Sequence, residues 1–175
     1  MIYLKRHACL VLVCCLALMS FSTVARGETL KIVSQDLVYF GTLPHRYTCK
    51  GRDTSPPIGW ESVPEGTVTL ALCLENADTP AIHWILWNID PTIESLPEGV
   101  NTDDIGAVPG TNEFGILGYS GPCSVGTNEK YYFTLYALSG RLSLAPGADI
   151  TSFRDAISPL ILEEYTFVVF SMVSQ

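Results

Sequence analysis

Four stretches of the chain carry the period of two that marks a half-buried strand, or a continuous apolar run of strand length. Val68 to Leu74 alternates cleanly. Ile82-His-Trp-Ile-Leu-Trp-Asn-Ile89 is apolar on both faces, with His83, Ile85, Trp87 and Ile89 on one side and Ile82, Trp84, Leu86 and Asn88 on the other. A strand of that kind belongs in the middle of a sheet covered on both faces. Tyr131 to Leu138 and Tyr165 to Val173 read as two further strands, and Leu30–Ser34 and Val38–Phe40 as shorter strand-like pieces. Helical spacing survives only at Phe153, Ala156, Ile157 and Leu160, with Ser152 and Asp155 as a weakened capping box before it and Pro159 to break it. The sum is a mainly β chain, strands in two packed sheets with one or two short helices.

The connections are unusually rich in turn formers. Cys49 to Trp60 contains Pro56-Pro57 and places Ile58 and Trp60 where they can anchor its end in the core. Glu65-Gly66 is a turn. Asn76-Ala-Asp-Thr-Pro80 is a polar connection, and from Asp90 to Asn112 no helical period survives; an irregular stretch that long is functional or wrapped on the surface. Gly115 to Gly126 holds four glycines and a proline in twelve residues, a composition for a tight loop whose backbone N–H groups could together form an anion-binding nest.

The first 25 residues are of another kind. Lys5-Arg6-His7 precedes a run of fourteen mostly apolar residues, Ala8 to Phe21, and Thr23-Val24-Ala25 has the small residues of a cleavage site. Residues 1–25 are therefore expected to be a signal peptide, too short for a membrane span, and residues 26–175 a single exported domain in an extracytoplasmic compartment, periplasmic or secreted. Its loss leaves eight basic residues against 18 acidic ones, a net charge of −10. That surface repels nucleic acid and anionic lipid, so any anionic ligand must be held by local dipoles. Of the three cysteines left, Cys73 falls in the alternating strand, while Cys49 and Cys123 both lie in loop-like surroundings. In an oxidising compartment those two are expected to pair.

Catalytic signatures are weak. The mature chain keeps two histidines, His45 and His83, without His-x-x-x-His or Cys-x-x-Cys spacing, so neither a metal site nor a cofactor is expected. Gly118-Tyr-Ser120-Gly121-Pro122 misses the nucleophile-elbow pattern at its last position. No catalytic residue is assigned. His83 is the polar group to watch: on an apolar strand, it is either a core histidine satisfied by a carbonyl or the group that orients a ligand.

Taken in order, Cys49-x-Gly51, Ser55-Pro-Pro-Ile58 with Trp60, Asn76-Ala-Asp-Thr-Pro80, His83-Trp84, Leu96-Pro-Glu-Gly-Val100, Gly115-x-x-Gly-Tyr-x-Gly-Pro-Cys123 and Tyr131-x-Phe133 resemble the phosphatidylethanolamine-binding protein family, in particular its bacterial, Raf-kinase-inhibitor-like branch. The resemblance runs over residues 30–173. It implies a large, mostly antiparallel sheet packed with a smaller one, short helices at the edge, and a small pocket for anionic, phosphate-type ligands. The residues that match the pocket positions are Asn76, Asp78, His83, Gly118, Tyr119, Gly121, Pro122, Cys123, Glu129 and Tyr131. Tyr132 and Tyr136 are read as strand packing. Two positions depart from the pattern: Asn76-Ala77 stands where the family has Asp-Pro, and Glu129 where it has histidine. A carboxylate at the mouth of an anion pocket disfavours phosphate by like-charge repulsion. The expected function is thus an exported, non-enzymatic protein with an altered small-anion pocket. The alternative is an extracytoplasmic interaction or inhibitor module, since members of the family dock on kinases or proteases. Bacterial relatives imply a homodimer.

Overall fold

The structure, a computed structural model, describes residues 28–124 and 128–171. The expected signal peptide, residues 125–127 of the glycine-rich stretch and the end of the last strand beyond Ser171 lie outside the described residues.

In chain order the strands are β1 (Lys31–Val33), β2 (Gly41–Thr42), β3 (Ile58–Glu61), β4 (Thr69–Asn76), β5 (Ile82–Ile89), β6 (Ser95–Leu96), β7 (Val108–Pro109), β8 (Glu129–Leu138) and β9 (Ile161–Ser171). The helices are α1 (Thr102–Ile105) and α2 (Ile150–Ile157). They build a six-stranded sheet of order β2-β9-β8-β4-β5-β7 and a three-stranded sheet of order β1-β3-β6. Every pairing is antiparallel except β2 with β9. The expected fold class, mainly β with a large and a small sheet and few short helices, is the one observed.

The core lies on both faces of the large sheet. On one face Leu70, Leu72, Leu74, Trp84, Leu86, Phe133, Leu135 and Phe167 meet Ile32, Ile58, Trp60 and Leu96 of the small sheet. On the other, Ala71, Cys73, Ile85 and Trp87 are covered by Leu142 and by Phe153 and Ile157 of α2. Each fully buried large side chain contributes about 1.5–3 kcal/mol relative to exposure, so two such layers account for why β4 and β5 need no polar face.

All eight residues of β5 are buried, as its two apolar faces require. Its place differs from the expectation: β5 is next to the sheet edge, guarded only by the two-residue β7. The strict alternation also fails at its end. Asn88 takes a positive φ of 58°, the β4–β5 register shifts between Leu70 and Leu72, and Ile89 joins the inter-sheet core. Asn88 turns to the α2 side, where its amide gives and accepts bonds of 2.9 Å with the backbone of Leu142.

Three smaller expectations are corrected. Val38–Phe40 is a turn, not a strand; Gly41 N–H bonds Val38 O at 2.7 Å, and β2 follows it. The N-cap of α2 is Asp149, whose carboxylate accepts from Ser152 N at 2.8 Å, so Ser152 is the capped residue and not the cap. The irregular span after β5 contains one helical turn, α1, capped by Asn101 and closed by Gly106 at φ 63°. Pro159 does end α2, in a 3₁₀ turn over Ser158–Leu160.

Candidate functional site

The order β8-β4-β5 in an antiparallel sheet puts the first residues of β8 and β5 beside the last residues of β4. Asn76 pairs with Tyr131, and Glu75 with both Tyr132 and Ile82. Four positions from three strands, Asn76 of β4, His83 of β5, and Glu129 and Tyr131 of β8, are gathered in this way at one end of the large sheet. Sheet pairing alone brings them together.

The β4–β5 turn is organised by Asn76. Its side-chain oxygen accepts from Asp78 N at 2.8 Å and Thr79 N at 3.1 Å, and its backbone N–H bonds Ala81 O at 2.9 Å. An aspartate would accept the same two bonds; asparagine keeps the turn and omits the charge.

His83 is 3% exposed. Its Nδ1 lies 2.9 Å from Ser120 O, while Ser120 N–H returns a 2.9 Å bond to His83 O. A carbonyl only accepts, so Nδ1 carries the proton and Nε2 of the neutral ring carries the lone pair. Burial holds the imidazole below its ordinary value of 6.5, against the pull of the Ser120 carbonyl and of the Glu113, Asp53 and Glu129 carboxylates. The ring stands edge-on to Tyr131 at 5.3 Å and tilted against Phe114 at 5.5 Å.

Tyr131 donates to Glu129 Oε2 at 2.7 Å and lies 3.3 Å from Ser124 Oγ. Burial raises its phenol above the ordinary 10.0. Opposite, buried Asn112 folds the segment after β7 over the cleft. Its side-chain oxygen accepts from Phe114 N and Ile116 N, both at 3.0 Å, and its amide donates to His83 O and Gly118 O.

The glycine loop does other work than expected. Gly118 N–H goes to Gly110 O, Ser120 N–H to His83 O, and Gly121 N–H to the Asp53 carboxylate at 2.5 Å. These three donors are committed inside the protein, so they do not form an anion nest. Gly121 is needed for close approach: a Cβ there would sit 2.3 Å from Tyr47 O and 2.9 Å from Asp53 Oδ1. Tyr119 donates its hydroxyl to Tyr47 O and packs on Trp84. Cys49 N–H bonds Pro122 O, and Cys49 and Cys123 form a disulfide with Cα atoms 5.3 Å apart, the pairing expected from the sequence. Cys73 is the free, buried cysteine, its thiol pushed up to about 12 by burial. The loop is thereby fastened to residues 45–53, which are held in turn by Arg46–Asp36 at 2.7 Å, Arg46–Glu98 at 3.5 Å and the Arg52–Glu98 pair.

The resulting cleft has a volume of about 490 Å³ and is lined by Asn76, Asp78, Thr79, Ala81, His83, Glu113, Phe114, Cys123, Glu129 and Tyr131. Six of the ten residues expected from the sequence line it. Gly118, Tyr119, Gly121 and Pro122 do not; they support its wall. Thr79, Ala81, Glu113 and Phe114 were not singled out by sequence reasoning, and only the length of the irregular segment after β5 pointed toward the last two. Among the described residues lysine and arginine do not occur in this lining; Lys50 Nζ lies 3.5 Å from Ser124 O. A larger groove of about 740 Å³ on the small sheet, between Val33, Pro57, Trp60, Glu94 and Pro97, holds none of the expected residues. Among the described residues no group of three His, Cys, Asp or Glu side chains is placed to hold a metal ion, and no helix is long and apolar enough to cross a membrane.

The family model for phosphatidylethanolamine-binding protein matches residues 33–170. The chain belongs to the phosphatidylethanolamine-binding protein family. It is 39% identical over 132 residues to a UPF0098 protein of Methanothermobacter thermautotrophicus, covering 71% of this chain and 86% of that one. A UPF0098 protein of Chlamydia muridarum is 34% identical over 141 residues, 76% of this chain and 92% of its own. Among solved structures, the phosphatidylethanolamine-binding protein homologue CT736 of Chlamydia trachomatis superposes with a TM-score of 0.76 at 30% identity, over 84% of this chain and 98% of that chain. YbcL of E. coli, described as a member of the mammalian family, gives 0.77 at 23% identity, over 84% of this chain and all of its own, a likeness of fold.

Proposed function

We propose that this family member is an exported, non-enzymatic protein that holds a small ligand in the cleft at the end of β8, β4 and β5. The observation that supports it most is His83: a nearly fully buried imidazole whose Nδ1 is fixed by a backbone carbonyl and which lines the cleft. A non-catalytic role is favoured by how Ser120 meets His83, through its carbonyl, so the serine–imidazole contact needed for nucleophilic catalysis is not made there. The disulfide is consistent with an oxidising, extracytoplasmic compartment. The pocket departs from the family pattern in charge at Glu129, which lines it together with Asp78 and Glu113, and like charges a few ångströms apart in a half-exposed site repel by on the order of 1–4 kcal/mol. Phosphate dianions are accordingly expected to bind weakly.

A second reading has its own support. Phe114, Ile116 and Leu117 are about half exposed on one loop at the mouth of the cleft, a surface that a protein partner could cover. A thermal-shift screen of residues 26–175 against small anions, cations and neutral polyols separates the two. Ligands of the cleft raise the melting temperature with concentration and lose the effect in His83→Phe. A screen without shifts, together with capture of an exported protein that is sensitive to Leu117→Asp but not to His83→Phe, would replace the cleft reading by the surface one.

A further inference from the structure

We infer that the groove along β3, on the outer face of the small sheet, seats an extended cationic peptide segment of a partner protein. The site is separate from the cleft at the end of the large sheet. Ile32, Ile58, Trp60 and Leu96 face the core, so Val33, Gly59, Glu61 and Ser95 alternate to the outside. The groove itself follows from one missing side chain. Val33, Gly59 and Ser95 stand in one row across β1, β3 and β6, and the middle member has none. A Cβ on Gly59 would lie 3.1 Å from Val33 Cγ2 and 3.5 Å from Ser95 Cβ, so glycine keeps the floor open. β1 and β6 flank β3 at one strand spacing each, which sets the walls about 9–10 Å apart and leaves room for one extended chain. Along β3 the trough is about 13 Å long, enough for roughly four extended residues.

Charge and hydrogen bonding choose the occupant. Glu61 and Glu94 line the groove, and among the described residues neither forms an ion pair or a side-chain hydrogen bond. Lysine and arginine do not occur in the described lining; Lys31, in register with Glu61, lies outside it and is likewise unpaired there. The Gln35 amide and the Ser95 hydroxyl are also uncommitted among the described residues, and they offer the donors and acceptors that a peptide backbone needs. Val33, Pro57 and Pro97 give apolar walls for the stems of lysine or arginine side chains. A second copy of this chain seated face to face on the groove would set Glu61 and Glu94 against themselves. A sugar ring has no aromatic face to lie on, since Trp60, the aromatic residue of the lining, is 6% exposed and turned into the core.

The test is a ¹H–¹⁵N NMR titration of residues 26–175 at neutral pH and low salt with acetyl-Lys-Val-Lys-Val-Lys-amide, acetyl-Glu-Val-Glu-Val-Glu-amide and maltopentaose. The expected result is saturable shifts with the lysine peptide, confined to residues 33–35, 57–61 and 94–97, and none with the other two probes. Glu61→Gln with Glu94→Gln, which keep shape and remove two charges, should weaken that binding by about threefold to tenfold, and added salt should weaken it further. Ser95→Lys, at an exposed position of a two-residue edge strand, should abolish it without unfolding the protein. Asp103→Asn with Asp104→Asn, an equal loss of charge on α1, and His83→Phe in the cleft should leave it unchanged. Shifts scattered over the surface, or an equal loss of affinity in the α1 variant, overturn the inference as unspecific attraction of a cation to an acidic protein. Saturation of the groove by the acidic peptide or by maltopentaose overturns it in favour of that occupant. Concentration-dependent shifts in the groove without any probe overturn it in favour of a second copy of this chain. Silence from all three probes overturns the groove as a docking site.

Discussion

At the scale of the residue, His83 decides most. Its imidazole is neutral in the fold because burial outweighs the neighbouring carboxylates, which sets the sign of its pH effect. With the folded value below 6.5, the unfolded chain binds more protons as pH falls through that region, so His83 withdraws stability below about pH 6.5 until its folded value is passed. Urea denaturation at pH 7.5 and 5.0 should therefore show a smaller loss of stability for His83→Phe than for the parent; an equal loss would mean the ring is already charged when folded. Gly121→Ala should cost about 1–3 kcal/mol, because the new Cβ meets backbone that cannot move aside. Cys73 is closed to reagents by burial and by its raised thiol value. On residues 26–175, Ellman titration without reductant should give no thiol in the native state and one in denaturant.

At the scale of the element, periodicity read the strands well wherever packing repeats it. β4, β5 and β8 each show the pattern because both of their faces are packed along most of their length. It misled where one residue breaks the repeat. Asn88, at positive φ, sends Ile89 into the other core, a reversal no alternation rule contains. The cap of α2 was missed for a related reason: Ser152 and Asp155 have the capping spacing, but the helix begins at Ile150, and Asp149 is the side chain in reach of the free N–H groups. Asp149→Ala should cost about 1 kcal/mol in thermal or urea denaturation, and Asp155→Ala much less; equal effects would contradict the assignment. The short pieces β6, β7 and α1 were illegible because two to four residues carry no period. Tertiary partners make them.

At the scale of the whole molecule, two sheets pack so that one end of the larger holds residues from three strands and the disulfide ties the loop wall beside them. Removing that link with Cys49→Ala and Cys123→Ala together should lower stability by about 4 kcal/mol, by the loop-entropy argument for a separation of 74 residues. The site was legible in part. Asn76, Asp78, His83, Cys123, Glu129 and Tyr131 were expected from motif positions and do line one cleft, whereas Glu113 and Phe114 reach it only because Asn112 folds their segment across His83. The glycine loop was read as a binding element, yet its N–H groups are turned inward by Gly110, His83 and Asp53. The central claim is that a neutral His83 presents Nε2 to a ligand. Long-range ¹H–¹⁵N spectra of the imidazoles, with His83→Phe for assignment, test it most directly. At pH 7 the account predicts the Nδ1–H tautomer for His83 and an Nε2 resonance that moves on saturation with a ligand whose thermal shift is lost in His83→Phe. A protonated ring at that pH, or a proton on Nε2, would contradict it.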